Sequence, residues 1–72
     1  GDFKKLTIVW EKLVQNDPEN YEYRLSLAAA YFRTYRDNEA IKELEEAERL
    51  NPNLKDRIDS LINGIRTGTM KR

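Results

Sequence analysis

Seventy-two residues bound this chain to a single domain, near the size at which one hydrophobic core is only marginally sufficient. Thirteen lysines and arginines balance thirteen aspartates and glutamates, so no net charge calls for nucleic acid, an anionic membrane or an acidic substrate. With no cysteine there is no disulfide framework and no redox clue to the compartment, and the longest uncharged run, Leu25 to Phe32, is far short of the ~20 residues that span a bilayer. No signal-peptide pattern precedes that run, so no direct membrane insertion is expected. The chain opens at Gly1 rather than at methionine, as a trimmed or processed piece would.

The pattern predicts four helices and almost no strand. The first, about Phe3 to Gln15, carries Phe3, Leu6, Trp10 and Leu13 on one face, with Val9 and Val14 flanking. It stops at "NDP", where Asp17 is placed to cap the next helix and Pro18 suits a first turn, its missing N–H costing nothing there. The second, about Glu19 to Tyr35, has one apolar row of Leu27, Ala28, Tyr31 and Tyr35 and another of Leu25, Ala29 and Phe32. A helix apolar around most of its girth must be covered from more than one side.

"YRDNEA" breaks this helix without glycine or proline, and Asp37 or Asn38 is the expected N-cap of a third, about Asn38 to Leu50. That helix buries Ala40, Ile41, Leu44, Ala47 and Leu50, with Glu45 and Arg49 forming an (i, i+4) pair on the wet side. After "NPN" a fourth helix, about Leu54 to Arg66, aligns Ile58, Leu61, Ile62 and Ile65. Gly68 is the expected C-cap, followed by a flexible tail over 67–72.

Pro18 and Pro52 stand 34 residues apart, and that offset superimposes Trp10 on Leu44, Leu13 on Ala47, Leu27 on Leu61, Ala28 on Ile62 and Tyr31 on Ile65. Identities are few, but apolar character and the break before each proline recur, as in stacked helix–turn–helix units. Residues 21–54 resemble one complete tetratricopeptide repeat (TPR). Leu27 stands at the pattern's leucine, Ala28 and Ala40 at the small sites where the paired helices cross, and Tyr31 at its tyrosine. Leu44 takes the aromatic position, Ala47 the following alanine and Pro52 the closing proline. Residues 1–20 resemble the second helix of a preceding repeat, and 55–66 the first helix of a following one or a capping helix. The resemblance implies a single all-α domain over 1–72, a right-handed α-solenoid of antiparallel hairpins in the order B-A-B-A.

Two positions depart from the pattern. Arg24 replaces a tryptophan, and Tyr35 stands where glycine is usual, which implies a different turn, a left-handed tyrosine, or a ring folded inward. Trp10, Tyr31 and Tyr35 are expected in the core. Asp56 and Asp59 sit early in the fourth helix, where carboxylates meet the helix dipole favourably. There is no histidine, no cysteine, no glycine-rich phosphate loop and no serine beside a base, so neither catalysis nor a cofactor is expected.

Function is therefore sought on surfaces, with a protein or peptide as partner and no nucleic acid. In the TPR family the first helices of successive repeats line a groove for peptides. Carried over, that groove presents Glu22, Leu25, Ala29, Phe32, Arg33, Asp59, Asn63 and Arg66, the alternative being that the fourth helix simply covers Leu25, Ala29 and Phe32, and the resemblance implies a non-catalytic interaction or scaffold module. Leu25 and Asp59 stand where the family's carboxylate-clamping subset needs lysines, so that clamp is rejected. A second expectation is head-to-tail self-assembly into an oligomer or filament through Phe3, Trp10, Ile58, Ile62 and Ile65, because a lone helix at each end leaves a face without a partner. A third is a TPR tail of a larger enzyme or membrane protein.

Overall fold

The computed structural model describes residues 2–72; Gly1, the first residue of the predicted domain, lies outside them. The described residues form four α-helices and no strand: α1 (Phe3–Asn16), α2 (Tyr21–Arg33), α3 (Asp37–Leu50) and α4 (Lys55–Thr67), with a single 3-10 turn, Pro52–Leu54, leading into α4. Helices pack chiefly on their chain neighbours, α1 on α2, α2 on α3 and α3 on α4. Connections this short, three residues between α2 and α3, keep each helix beside its chain neighbour. The result is a slab of 27 × 26 × 16 Å.

The central helix is α2. Its Leu27, Ala28, Ala30, Tyr31 and Phe32 are all buried, which takes in most of its circumference, and α1 and α3 cover it from two sides as the sequence requires. Ala40 and Ala47 of α3 are fully buried, Leu44 nearly so, and Ile58, Ile62 and Ile65 of α4 complete the same core.

The helix starts depart from expectation. Asp17 does not cap α2: it accepts the Asn20 backbone N–H (3.1 Å) at its carbonyl, closing a turn over Pro18 and Glu19. Asn20 is the N-cap, its side-chain oxygen accepting from Tyr23 N–H at 3.1 Å. Neither Asp37 nor Asn38 caps α3, because both already lie inside the helix, and Arg36 in the cap position makes no side-chain cap bond. Either carboxylate or amide is chemically a good cap, and packing decides which one sits at the boundary.

The turn between α2 and α3 resolves the Tyr35 alternatives. Arg36 N–H donates to Tyr31 O (2.9 Å) and Tyr35 N–H to Phe32 O (3.2 Å), the paired bonds of a Schellman ending. Such an ending needs a left-handed residue, and Tyr35 supplies it at φ 64°. Its ring consequently points outward: Tyr35 is 76 % exposed, and its expected place in the core is wrong. The same ending closes α4, with Gly68 at φ 72° and bonds from Thr69 N–H to Gly64 O (3.1 Å) and Gly68 N–H to Ile65 O (3.3 Å).

Rotations and pairings differ too. On α1 the covered face runs through Phe3, Thr7, Trp10 and Val14 rather than Phe3, Leu6, Trp10 and Leu13. Thr7 can be buried because its hydroxyl donates to Phe3 O at 2.6 Å, and Glu11 beside it accepts from Tyr31 Oη at 2.7 Å. Leu6 (46 % exposed), Ile8 (54 %) and Val9 (52 %) are left facing outward. Arg49 pairs with Glu46 (2.7 Å) and Glu19 (3.6 Å), not with Glu45. Arg24, in place of the resembled tryptophan, joins α2 to α3 through Glu43 at 2.9 Å, with both side chains largely buried.

Ala40→Leu should destabilise the chain by about 2–3 kcal/mol, since nothing at a fully covered site can yield to the added volume. Lys42→Leu, exposed on the same helix, should change stability by less than about 0.5 kcal/mol. Urea unfolding followed by far-UV circular dichroism measures both.

Candidate functional site

Because α4 packs on α3, it stands off from α2, and a groove of about 390 Å³ opens between them. From α2 the groove is lined by Leu25, Ala28, Ala29, Phe32 and Arg33, from α4 by Arg57, Ile58, Leu61 and Ile65, with Leu44 and Leu54 also contributing. Phe32, Ile58 and Ile65 are buried, Leu25, Leu61 and Leu54 half-buried, and Ala29 is exposed. The methyl of Ala29 leaves open a space that a longer side chain would fill.

The remaining wall is the chain's end. Past the left-handed Gly68 the backbone reverses, and Met70 and Lys71 line the groove. Met70 N–H donates to Gly64 O at 3.2 Å, and a Cβ at Gly64 would meet Met70 Cβ at 3.3 Å, so the absence of a side chain there allows the close approach. Arg72 fastens the segment. Its guanidinium donates to Phe32 O (2.6 Å) and to both Asp37 carboxylate oxygens (2.7 and 2.9 Å), and lies over the rings of Phe32 (4.3 Å) and Tyr35 (4.4 Å). The bidentate bond holds the Asp37 carboxyl below its ordinary range and Arg72 above its own. Residues 70–72 are thus a folded-back wall rather than the flexible tail expected.

The sequence-predicted groove residues divide. Leu25, Ala29, Phe32 and Arg33 line the groove together; Glu22 is exposed and outside its lining. Asp59, Asn63 and Arg66 line a separate, more polar depression with Glu45, Glu48 and Ile62. The reason is rotational. The buried stripe Ile58–Ile62–Ile65 has Asp59, Asn63 and Arg66 on one flank and Arg57 and Leu61 on the other, and it is the latter flank that turns to α2. Arg57, Leu61, Met70 and Lys71 were therefore missed. Leu61, which widens the apolar stripe on one side only, was the available signal.

Of the predicted association residues, Ile58, Ile62 and Ile65 lie in the core. Trp10 is half-buried against Tyr23 (ring centroids 5.9 Å apart), and Phe3 lies half-buried beneath the Arg33 guanidinium at 5.1 Å.

In the polar depression, desolvation first and the Asp59 carboxylate second push the Glu48 carboxyl up, while the Lys55 ammonium at 2.7 Å holds Asp59 down. Among the described residues no three metal-ligating side chains converge. Burial, then the bond to Glu11, raise the Tyr31 phenol, which stays a hydrogen-bond donor. No helix among the described residues is long and apolar enough to cross a membrane. Comparison with protein-family models, with curated proteins and with solved structures finds no match.

The depressed Asp37 carboxyl stabilises the folded tail above its ordinary value of 3.8, and that contribution is lost as pH falls through the lower value in the fold. The Met70 methyl resonance should accordingly keep its folded shift at neutral pH and drift towards the unfolded shift only in strong acid. In Asp37→Asn it should lie closer to the unfolded shift at every pH. NMR of the methionine methyl checks this.

Proposed function

We propose that this chain is a TPR-like helical-repeat module, a non-catalytic scaffold that holds a segment of a partner protein in the groove between α2 and α4. The observation that carries this is the groove itself, lined by apolar side chains of the two helices that, in the resemblance, are first helices of successive repeats. Three features support the repeat reading: nearest-neighbour packing in chain order, buried alanines at 28, 40 and 47, and matching left-handed endings on α2 and α4. The groove's volume falls within the roughly 300–1,000 Å³ of ligand clefts, enough for a few side chains of an inserted segment.

End-to-end stacking has an outward apolar face on α1, at Leu6, Ile8 and Val9. The α4 residues expected to receive it, Ile58, Ile62 and Ile65, are already buried in the chain's own core, which leaves the groove as the better-supported surface.

Peptides selected from a random display library on this chain should shift the amide resonances of Leu25, Ala29, Leu61 and Met70. Ala29→Trp, which fills the groove from an exposed position, should weaken them at least about tenfold without lowering the thermal midpoint. Shifts clustering on α1 or in the Asp59–Arg66 depression, with Ala29→Trp binding as before, would overturn the reading.

A further inference from the structure

The rim of the groove carries a charge that the chain as a whole does not. Arg57 from the first turns of α4 and Lys71 from the folded-back tail reach one groove from two separate segments, beside Arg33 at the end of α2, whose guanidinium lies over the Phe3 ring at 5.1 Å; all three are exposed. None forms an ion pair among the described residues; Lys4, Lys12, Lys42 and Arg66 form none either, but none of those four lines the groove. No aspartate or glutamate lines the groove, although the sequence holds as many acids as bases.

We infer that the segment seated in this groove is acidic: apolar anchors on the Leu25–Phe32–Leu61 floor, flanked by aspartate or glutamate side chains that meet Arg33, Arg57 and Lys71. The inference rests on the groove being the binding site proposed above and adds the class of partner. Two properties of the rim select it. Cations around a low-dielectric floor focus a positive potential on the opening, which speeds the encounter with an acidic segment and disfavours a basic one. A free small anion would meet the cations but leave the apolar floor wet, so the two features together call for a side-chain-bearing ligand with both kinds of group. Rim pairs of this exposure contribute modestly one by one, about two- to fivefold in affinity each, and are weakened by salt.

The test uses three blocked peptides with identical leucine and phenylalanine anchors and glutamate, glutamine or lysine at the flanking positions, titrated onto the full chain by fluorescence polarisation. The glutamate peptide should bind about tenfold tighter than the glutamine peptide at about 50 mM salt, and the advantage should shrink at about 500 mM. Arg57→Gln and Lys71→Gln should each weaken the glutamate peptide about two- to fivefold and leave the glutamine peptide unchanged. Lys12→Gln, an exposed cation outside the groove, should alter neither. Equal binding of all three peptides, still abolished by Ala29→Trp, would overturn the acidic preference and leave the groove reading intact. An acidic preference untouched by Arg57→Gln and Lys71→Gln would overturn it too. Binding to phosphatidylglycerol vesicles in place of the glutamate peptide would assign the rim to a membrane surface instead. Binding of no peptide and no vesicle would end both readings.

Discussion

Everything in this structure follows from a helix that cannot be left half-covered. Leu27, Ala28, Ala30, Tyr31 and Phe32 bury most of the circumference of α2, and in a chain this short only its neighbours can shield it. Chain connectivity puts α1 and α3 there first. Helix α4, tied to α3 by a four-residue link, then packs on α3 and can only lean towards α2. The groove is the part of the α2 surface that this order of packing leaves partly bare, and the small side chain of Ala29 keeps it open.

Polar side chains join neighbouring helices at the edges of that core. Arg24 meets Glu43 between α2 and α3, Tyr31 meets Glu11 between α2 and α1, and Arg72 ties the tail to Asp37 at the start of α3. Among the described residues no buried side-chain nitrogen or oxygen lacks a partner. Pairs of this exposure add little net free energy each, but they disfavour rotated or slipped helices, in which the same groups would be buried without partners. That matters where the apolar stripes alone are ambiguous, as on α1, whose Leu6, Val9 and Leu13 would have served as well as Thr7 and Val14. The Thr7 and Glu11 hydrogen bonds accompany the face actually chosen.

Helix number, class and order were legible because the 3.6-residue stripes and the two Asn/Asp–Pro breaks act locally. Half of the groove was legible as well: on a helix buried all round, Leu25, Ala29 and Phe32 are the row left when Leu27, Ala28 and Tyr31 face the other helices. The α4 half was not. A stripe such as Ile58–Ile62–Ile65 fixes which side of a helix goes inward but not which flank faces a helix two elements away, and that choice is made by packing angle. The tail was illegible for a similar reason. "TGTMKR" reads as a frayed end because its partners, Phe32, Tyr35 and Asp37, lie more than thirty residues back in the sequence.

Tyr35 ties these strands together. A non-glycine residue in the left-handed region costs roughly 1–2 kcal/mol, and glycine would close the same Schellman ending without strain. What glycine could not supply is the second ring. With Phe32 on one side and Tyr35 on the other, the Arg72 guanidinium stacks on two aromatic rings while its N–H groups reach Asp37 and Phe32 O. An arginine ordered by stacking and by a bidentate carboxylate gives up its side-chain freedom once and gains both interactions. The strain at the α2–α3 turn is thus coupled to the wall that Met70 and Lys71 make across the groove. The left-handed turn at Tyr35 and the wall of the groove belong to one construction.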